Sequence, residues 1–592
     1  MTGRLLGLIL SMSVAFSAPA HATSVSFDWF EYAGHDPVFD SPLPPNSYRN
    51  PILAGFYPDP SITRAGNRFY LVNSTFTYFP GIPVFESADL IHWRHVGNVI
   101  ERPSELHFDG LSVSRGVFAP SIRFHDGLFY VIGTAADAGG NFYSVARHPA
   151  GPWSDPIWLP QLDGIDPSFF FDDDGRVYVL NNGPPPGIPQ YDGHRAIWIQ
   201  QFDLEARALT GGRRVLLNGG VDISKKPVWI EGPHLYKRHG WYYLMCAEGG
   251  TSMQHSEVVL RSHSPWGPFS AYPGNPILTQ RDLDEGRPDP IAAAGHADLV
   301  QATDGRWWAS FLGVRPYEIV HYNSGRETFL LPVDWRDGWP VILPHGRAIP
   351  YVTAAPAAAA PAATAPPLAG RDRAATRDRA ATRDRAATPP APPPMPTTGN
   401  FTWRDEFDEP TLQSDWLQVR ATQSAWADLK ARPGWLTIHP SSESLDTLGS
   451  PSFLARRQQH TNFEASTALE LPASGVAAGI GVFQNERYWY FFGVRRHEGE
   501  LQVFLEKDGG EGAAVLARIA THAAESAQPR ELIKLKVTGR ARRYSFYYSI
   551  DQGEWNPLLL NDDGVFLSTD VAGGFVGVVL GPYARAEASV NR

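Results

Sequence analysis

The chain has 592 residues, more than one hydrophobic core can organise, so at least two domains are required. Glycine (55) and proline (52) are abundant and aromatics reach 12%, a composition suited to short strands and turns and poorly suited to long helices. A net charge of −11 argues against nucleic acid as the main partner.

The N-terminus reads as a secretory leader over residues 1–22. Arg4 supplies the positive region, residues 5–16 are apolar, and Ala20-His21-Ala22 fits a small-x-small cleavage pattern, which places the mature start at Thr23. The apolar run is too short to span a bilayer and no other stretch is long enough, so the expectation is an exported protein, periplasmic or extracellular, without a membrane span. Cys246 is the single cysteine, which excludes an internal disulfide.

After a segment of unassigned role, residues 23–50, a pattern begins and recurs. Asp59-Pro60-Ser61-Ile62 leads to Gly66, then Phe69-Tyr70. Ala119-Pro120-Ser121-Ile122 leads to Gly127, then Phe129-Tyr130. Asp166-Pro167-Ser168-Phe169 leads to Gly175, then Val177-Tyr178. Glu231-Gly232-Pro233-His234 leads to Gly240, then Tyr242-Tyr243. His296-Ala297-Asp298-Leu299 leads to Gly305, then Trp307-Trp308. The anchors 59, 119, 166, 231 and 296 are spaced by 60, 47, 65 and 65 residues, and each precedes its glycine by 7 to 9. Each unit reads as strand, glycine turn, strand, with room for a second pair of strands before the next anchor.

Five such units predict an all-β, five-bladed β-propeller over residues 23–350, one four-stranded blade per repeat. The first strand of a propeller blade lines the central channel, so Asp59, Asp166 and Glu231, remote in sequence, are expected to face one cavity. The competing reading, ordinary Asp-Pro turns in a large sandwich or barrel, leaves the joint recurrence of spacing and residue type unexplained.

Residues 351–399 differ. Residues 353–367 contain only Ala, Pro and Thr, the hexapeptide Arg-Asp-Arg-Ala-Ala-Thr occurs three times from Arg371 to Thr388, and a proline-rich stretch follows. This is the composition of an extended linker. Residues 400–592 show alternating segments at 463–471, 488–494, 501–506, 532–537, 544–550 and 575–580, which predict a jelly-roll, concanavalin-like β-sandwich.

Three carboxyl groups on one axis suit glycoside hydrolysis. An inverting enzyme needs one carboxylate to activate water and one carboxylic acid to protonate the leaving oxygen. A third carboxylate keeps the acid protonated by like-charge repulsion.

The motifs around Asp59, Asp166 (Gly164-Ile165-Asp166-Pro167-Ser168) and Glu231 (Trp229-Ile230-Glu231-Gly232-Pro233-His234) resemble the three catalytic motifs of glycoside hydrolase family 43. Gly295-His296-Ala297-Asp298-Leu299 and Gly325-Arg326-Glu327-Thr328 resemble two more. The resemblance covers about residues 50–345, and the sandwich is similar to the C-terminal domain of the family's β-xylosidase branch. It implies Asp59 as general base, Glu231 as general acid and Asp166 as the group that raises the Glu231 pKa and orients it. It implies Arg326 on the bound sugar or the carboxylates, where a planar fork outperforms lysine, and Phe76 as a sugar-stacking platform. It implies His296 at the channel centre, beside a calcium ion or a water cluster; no cofactor is required for the chemistry. Phe118 stands where the family more often carries Trp, and the polar run 285–290 is longer than usual, which suggests altered outer subsites. The implied activity is exo-acting, inverting release of terminal β-D-xylose or α-L-arabinofuranose from hemicellulose oligosaccharides. An endo-arabinanase and a non-catalytic carbohydrate-binding propeller are the alternatives.

Overall fold

The five repeat glycines, Gly66, Gly127, Gly175, Gly240 and Gly305, all have positive φ, between 62° and 84°, the conformation a tight turn asks of glycine. Each closes a hairpin whose strands carry the aromatic pairs seen in the sequence. The computed structural model describes residues 24–356, 395–422, 425–521, 532–550 and 553–587; the expected leader and most of the expected linker lie outside them.

Five antiparallel sheets follow in chain order, each built from consecutive strands except that the first passes over Tyr78–Phe79. Their innermost strands are Ser61–Ala65, Gly116–His125, Ile165–Phe171, Glu231–Arg238 and Ala292–Gln301. Each of these packs on the next, and the fifth returns to the first. This is the five-bladed propeller. Aromatic pairs seal the seams between blades: Tyr70 on Phe129, Tyr130 on Phe169, Phe170 on Tyr242 and Tyr236 on Trp307, all edge-on. Each contributes about 0.5–1.5 kcal/mol beyond its buried area. The ring's chain ends are zipped together where Ser47–Arg49 pairs with Val352–Ala354, so residues 352–354, expected in the linker, belong to the propeller.

Four of the five inner strands slip register at the repeat anchor: between Phe118 and Ser121, Ile165 and Ser168, Glu231 and His234, and Gly295 and Asp298. Asp59, Asp166, Gly232 and His296 share a left-handed backbone, with φ values of 49°, 51°, 55° and 54°; the last three sit at these bulges, and Asp59 lies just ahead of its unshifted strand. The fourth anchor is therefore Gly232. Glu231 precedes the bulge by one residue and does not hold the position of Asp59 and Asp166. A left-handed non-glycine residue costs roughly 1–2 kcal/mol, and bulges with such residues re-aim side chains.

The C-terminal domain is a concanavalin-like sandwich of two large sheets. Among the described residues the only α-helix is one turn, Thr569–Ala572. The expected division at residue 23 needs correction, because Val25–Gly34 is a strand of the sandwich. It pairs with Asn462–Glu470 on one side and with Leu436–Ile438 and Phe401–Asp405 on the other. Phe27, Phe30 and Tyr32 are fully buried in the sandwich core beside Phe463, Leu535 and Tyr544. Burying side chains of this size stabilises by about 1.5–3 kcal/mol each, which fixes the strand there rather than on the propeller. In exchange the propeller lends Tyr78–Phe79, which pairs with Leu417–Val419 at the edge of the second sheet.

The two domains are tied by buried charge. Arg315 of the fifth blade binds Glu327 (2.6 and 2.9 Å), Asp36 (2.8 Å) and the Gln459 carbonyl (2.9 Å). Arg457 of the sandwich donates to the Phe56 carbonyl at 2.6 Å and lies 4.1 Å from the Tyr57 ring centre. The sandwich is thus docked two residues from Asp59. No helix among the described residues is long and apolar enough to cross a membrane.

Candidate active site

At one end of the propeller axis a cavity of about 380 Å³ contains all six residues singled out from the sequence: Asp59, Phe76, Asp166, Glu231, His296 and Arg326. The three carboxyl residues are buried, at 5%, 6% and 5% exposure for Asp59, Asp166 and Glu231. Three acidic groups so close together and out of water cannot all carry charge, and their partners determine which one does.

Asp59 has the cation. Arg326 Nη1 lies 2.7 Å from its Oδ1 and Nη2 3.5 Å from Oδ2. The Ser74 hydroxyl donates to Oδ2 at 2.6 Å, and His296 Nδ1 stands 4.0 Å from Oδ1. Burial pushes the Asp59 pKa up, but Arg326, His296 and Ser74 together outweigh it and hold the carboxyl below its usual range. Asp166 accepts only a 3.3 Å bond from the Gly232 backbone N–H. Burial raises its pKa to about 6, with His296 pulling it down and the Asp59 charge pushing it up. Glu231 is raised well above the ordinary carboxyl value, first by burial and then by the charges of Asp166 and Asp59, with Arg326 and the Trp229 side chain opposing. Ligand atoms of Asp166, Glu231 and His296 lie within 4.8 Å of one another.

The wall beside Arg326 is aromatic. Phe76 is 2% exposed, its ring stacked with Phe56 (5.8 Å) and Phe575 (6.0 Å) and edge-on to Phe118 (5.5 Å). It braces the wall, and the half-exposed rings on this side of the cavity are Phe118 and Phe575. The run 285–290 does not reach this cavity; it borders a separate cleft of about 730 Å³ between propeller and sandwich.

Phe575 comes from the sandwich and was not anticipated. The sequence pattern put residues 575–580 in a strand, but the strand begins at Val579 and 573–578 forms a loop that enters the cavity. Gly573 and Gly574 turn it with φ of 73° and 81°. The Ser114 hydroxyl receives the Phe575 N–H at 2.9 Å, and Gly577 lies flat on Gly325. Ser74 was also missed; its signal is a polar Asn73-Ser74-Thr75 run, wholly buried, at the end of an apolar strand.

A calcium ion at the propeller centre does not fit these residues. Below His296 the axis holds His234, Asp298 and Arg123. Asp298 already receives Arg123 (2.7 and 3.0 Å), Ser61 (2.6 Å), the Ile62 N–H (3.0 Å) and Tyr236 (2.5 Å), and His234 Nδ1 receives Arg123 at 2.9 Å. The gap left between Asp166, His234 and His296 is about 10 Å³, room for about one water, whereas calcium takes six to eight oxygen ligands.

Glycosyl hydrolases family 43 is matched over residues 48–340, and the β-xylosidase C-terminal concanavalin A-like domain over 404–592. The "Xylosidase/arabinosidase" of Butyrivibrio fibrisolvens is 36% identical over 552 residues, 92% of this chain and 96% of that protein. The chain belongs to glycosyl hydrolase family 43. A non-reducing end α-L-arabinofuranosidase of Bacteroides ovatus is 34% identical to this family 43 protein, over 93% of each chain. The crystal structure of a GH43_12 protein from capybara gut metagenome superposes with a TM-score of 0.83 at 35% identity, covering 95% of this chain and 100% of that one. The xylan β-1,4-xylosidase of Bacillus halodurans gives 0.76 at 30% identity, over 92% and 98%.

The seating of the Phe575 loop is testable at one glycine. Gly325 has φ of 74°, and a Cβ there would stand 2.8 Å from the Gly577 Cα. Gly325→Ala is expected to cost roughly 1–3 kcal/mol and to speed amide hydrogen exchange across 573–578. Unchanged exchange in that segment would show that the loop is not held by this contact.

Proposed function

We propose that this family 43 protein is an exo-acting, inverting glycoside hydrolase that releases a terminal pentose, β-D-xylose or α-L-arabinofuranose, from xylan-type hemicellulose oligosaccharides. The observation that carries this reading is a single cavity in which one carboxyl group is held ionised and another protonated. Asp59, paired with Arg326 and Ser74, is the base. It takes a proton from water as the water oxygen bonds to the anomeric carbon. Glu231, kept neutral by burial and by its acidic neighbours, gives its proton to the departing oxygen as the glycosidic bond breaks. Asp166 supplies part of the field that keeps Glu231 protonated.

The Phe575 loop supports exo action. It walls the cavity beside Phe76 and Arg326, so the terminal sugar meets aromatic rings where an endo-acting groove would stay open; this disfavours the endo-arabinanase alternative. A binding-only propeller gives no reason for the opposed protonation of Asp59 and Glu231. The names of the relatives, one an arabinofuranosidase, one a xylosidase and one both, support a pocket for either pentose. The leader-like residues 1–22 support export.

Three measurements test this reading. Aryl β-D-xyloside and aryl α-L-arabinofuranoside are assayed side by side, with the first-formed sugar followed by NMR; turnover of at least one with inverted configuration is expected, and retention overturns the mechanism. Asp166→Asn removes a charge that raises the Glu231 pKa, so that pKa falls. Because Glu231 acts when protonated, the alkaline limb of kcat/KM is expected to move to lower pH by about one unit; an unmoved limb removes Asp166 from this role. Dialysis against EDTA is expected to leave turnover and Tm unchanged, and a loss in either that calcium restores would establish a resident ion.

A further inference from the structure

Two bulky aromatic residues of the cavity, Phe76 and Trp229, have left-handed backbones, and Trp229 is the half-exposed one. Its φ is 54°, a conformation that persists only where its surroundings impose it. Its N–H is fixed by the Gly193 carbonyl at 2.9 Å, and the carbonyl of Val228 is fixed by Gly249 and Gly250 at 2.9 and 3.1 Å. Ile230, the next residue, is buried in the core between the third and fourth blades, a cluster that does not include Trp229. The strained turn therefore separates the two side chains, burying Ile230 and leaving the indole half-exposed in the cavity wall.

The far face of that indole is backed by a built support. Arg195 Cζ stands 4.8 Å from the ring centre. Arg195 Nε donates to Asn182 Oδ1 at 3.0 Å, and Asn182 Nδ2 donates to the Ile230 carbonyl at 2.6 Å. Asn182 is fully buried. Arg195 does not border the cavity whereas Trp229 does, so the guanidinium supports the indole from outside the cavity.

Position in the ring gives the indole its partner. Trp229 lies at the seam of the third and fourth blades, across from the first blade, which carries Asp59. Arg326, Phe76 and Phe575 cluster on the Asp59 side, with Arg326 Cζ 5.8 and 5.6 Å from the two rings. Trp229 is two residues from Glu231. The acid protonates the departing oxygen, so the leaving group lies on its side of the scissile bond. A flat indole there matches the C–H face of a second sugar, and half-exposed Thr251 and exposed Val228 border the same side.

We propose that Trp229, braced by Arg195, is the platform on which the leaving-group sugar stacks, a specificity-determining surface that favours saccharide over small leaving groups. This rests on the reading of the cavity as a pentosidase site. The test compares two substrates that share the pentose the parent enzyme cleaves faster: a disaccharide of that pentose linked to xylose, and the glycosyl fluoride of matching anomeric configuration, whose leaving group has no face to stack. Trp229→Ala is expected to lower the ratio of kcat/KM for disaccharide over fluoride by about tenfold, mainly through the KM of the disaccharide. Trp229→Phe is expected to restore most of the ratio, and Arg195→Gln to lower it by a smaller factor. Equal losses on both substrates, or a phenylalanine variant no more selective than the alanine one, would overturn the proposal. Should Trp229→Ala fail to fold, Trp229→Phe and Arg195→Gln decide the outcome, and an unchanged ratio in Arg195→Gln then counts against it. A parent enzyme inert on both substrates would instead remove the pentosidase reading itself.

Discussion

Three carboxyl groups can share a water-poor cavity only if their charges are settled by something else. Here one guanidinium and one proton settle them. Arg326 takes Asp59 as an ion pair, and burial, with the charges of Asp166 and then Asp59, pushes the Glu231 pKa up. Much of the architecture serves to deliver this guanidinium. Arg326 follows a glycine on which the sandwich loop lies, and its guanidinium sits beside the stacked pair Phe76 and Phe575. The remaining charge on the axis, Asp298, is neutralised separately by Arg123, so the lower part of the channel adds little field to the upper part.

The backbone arranges this chemistry at a local cost. Left-handed residues at Asp59, Asp166 and His296 are unfavourable one by one, and the bulged ring of inner strands imposes them together. That ring also explains why Asp59 and Glu231 differ in more than their neighbours. Asp59 holds the left-handed position and Glu231 stands one residue ahead of it, so they enter the cavity from different backbone positions.

The propeller was legible because its information is local and repeated: an anchor that proline stiffens in four of the five units, a glycine at a near-constant distance, and an aromatic pair after it in all but the third. Asp59, Asp166 and Glu231 were legible for the same reason, since the first strands of propeller blades converge, whereas Arg326, Phe76 and His296 were reached through the resemblance to family 43. What the pattern could not show is where a single residue shifts. Glu231 looks like the fourth anchor because it is acidic, yet the left-handed position belongs to Gly232. The alternation in Val25–Gly34 is visible in the sequence, but nothing local says which sheet claims it; that is decided by Phe463 and Leu436, far along the chain. Residues 575–580 look like a strand by apolar content, whereas Gly573, Gly574 and Gly577 make the first part a loop. Phe76 reads as a platform because it is aromatic, and only packing reveals that Phe56 and Phe575 stack on its faces.

The position of Val25–Gly34 bears on how the chain is made. This strand lies inside a sandwich sheet, between Leu436–Ile438 and Asn462–Glu470, and Tyr32 meets His460 across a separation of 428 residues. Synthesis runs from the N-terminus, so Phe27, Phe30 and Tyr32 emerge long before the surfaces that cover them. The whole propeller is inserted between the first strand of the sandwich and the rest, and it can close while that strand still waits. Final assembly is therefore a long-range capture, a slow class of contact, and the sandwich residues cut out from 400 onward would lack an interior strand of their own sheet.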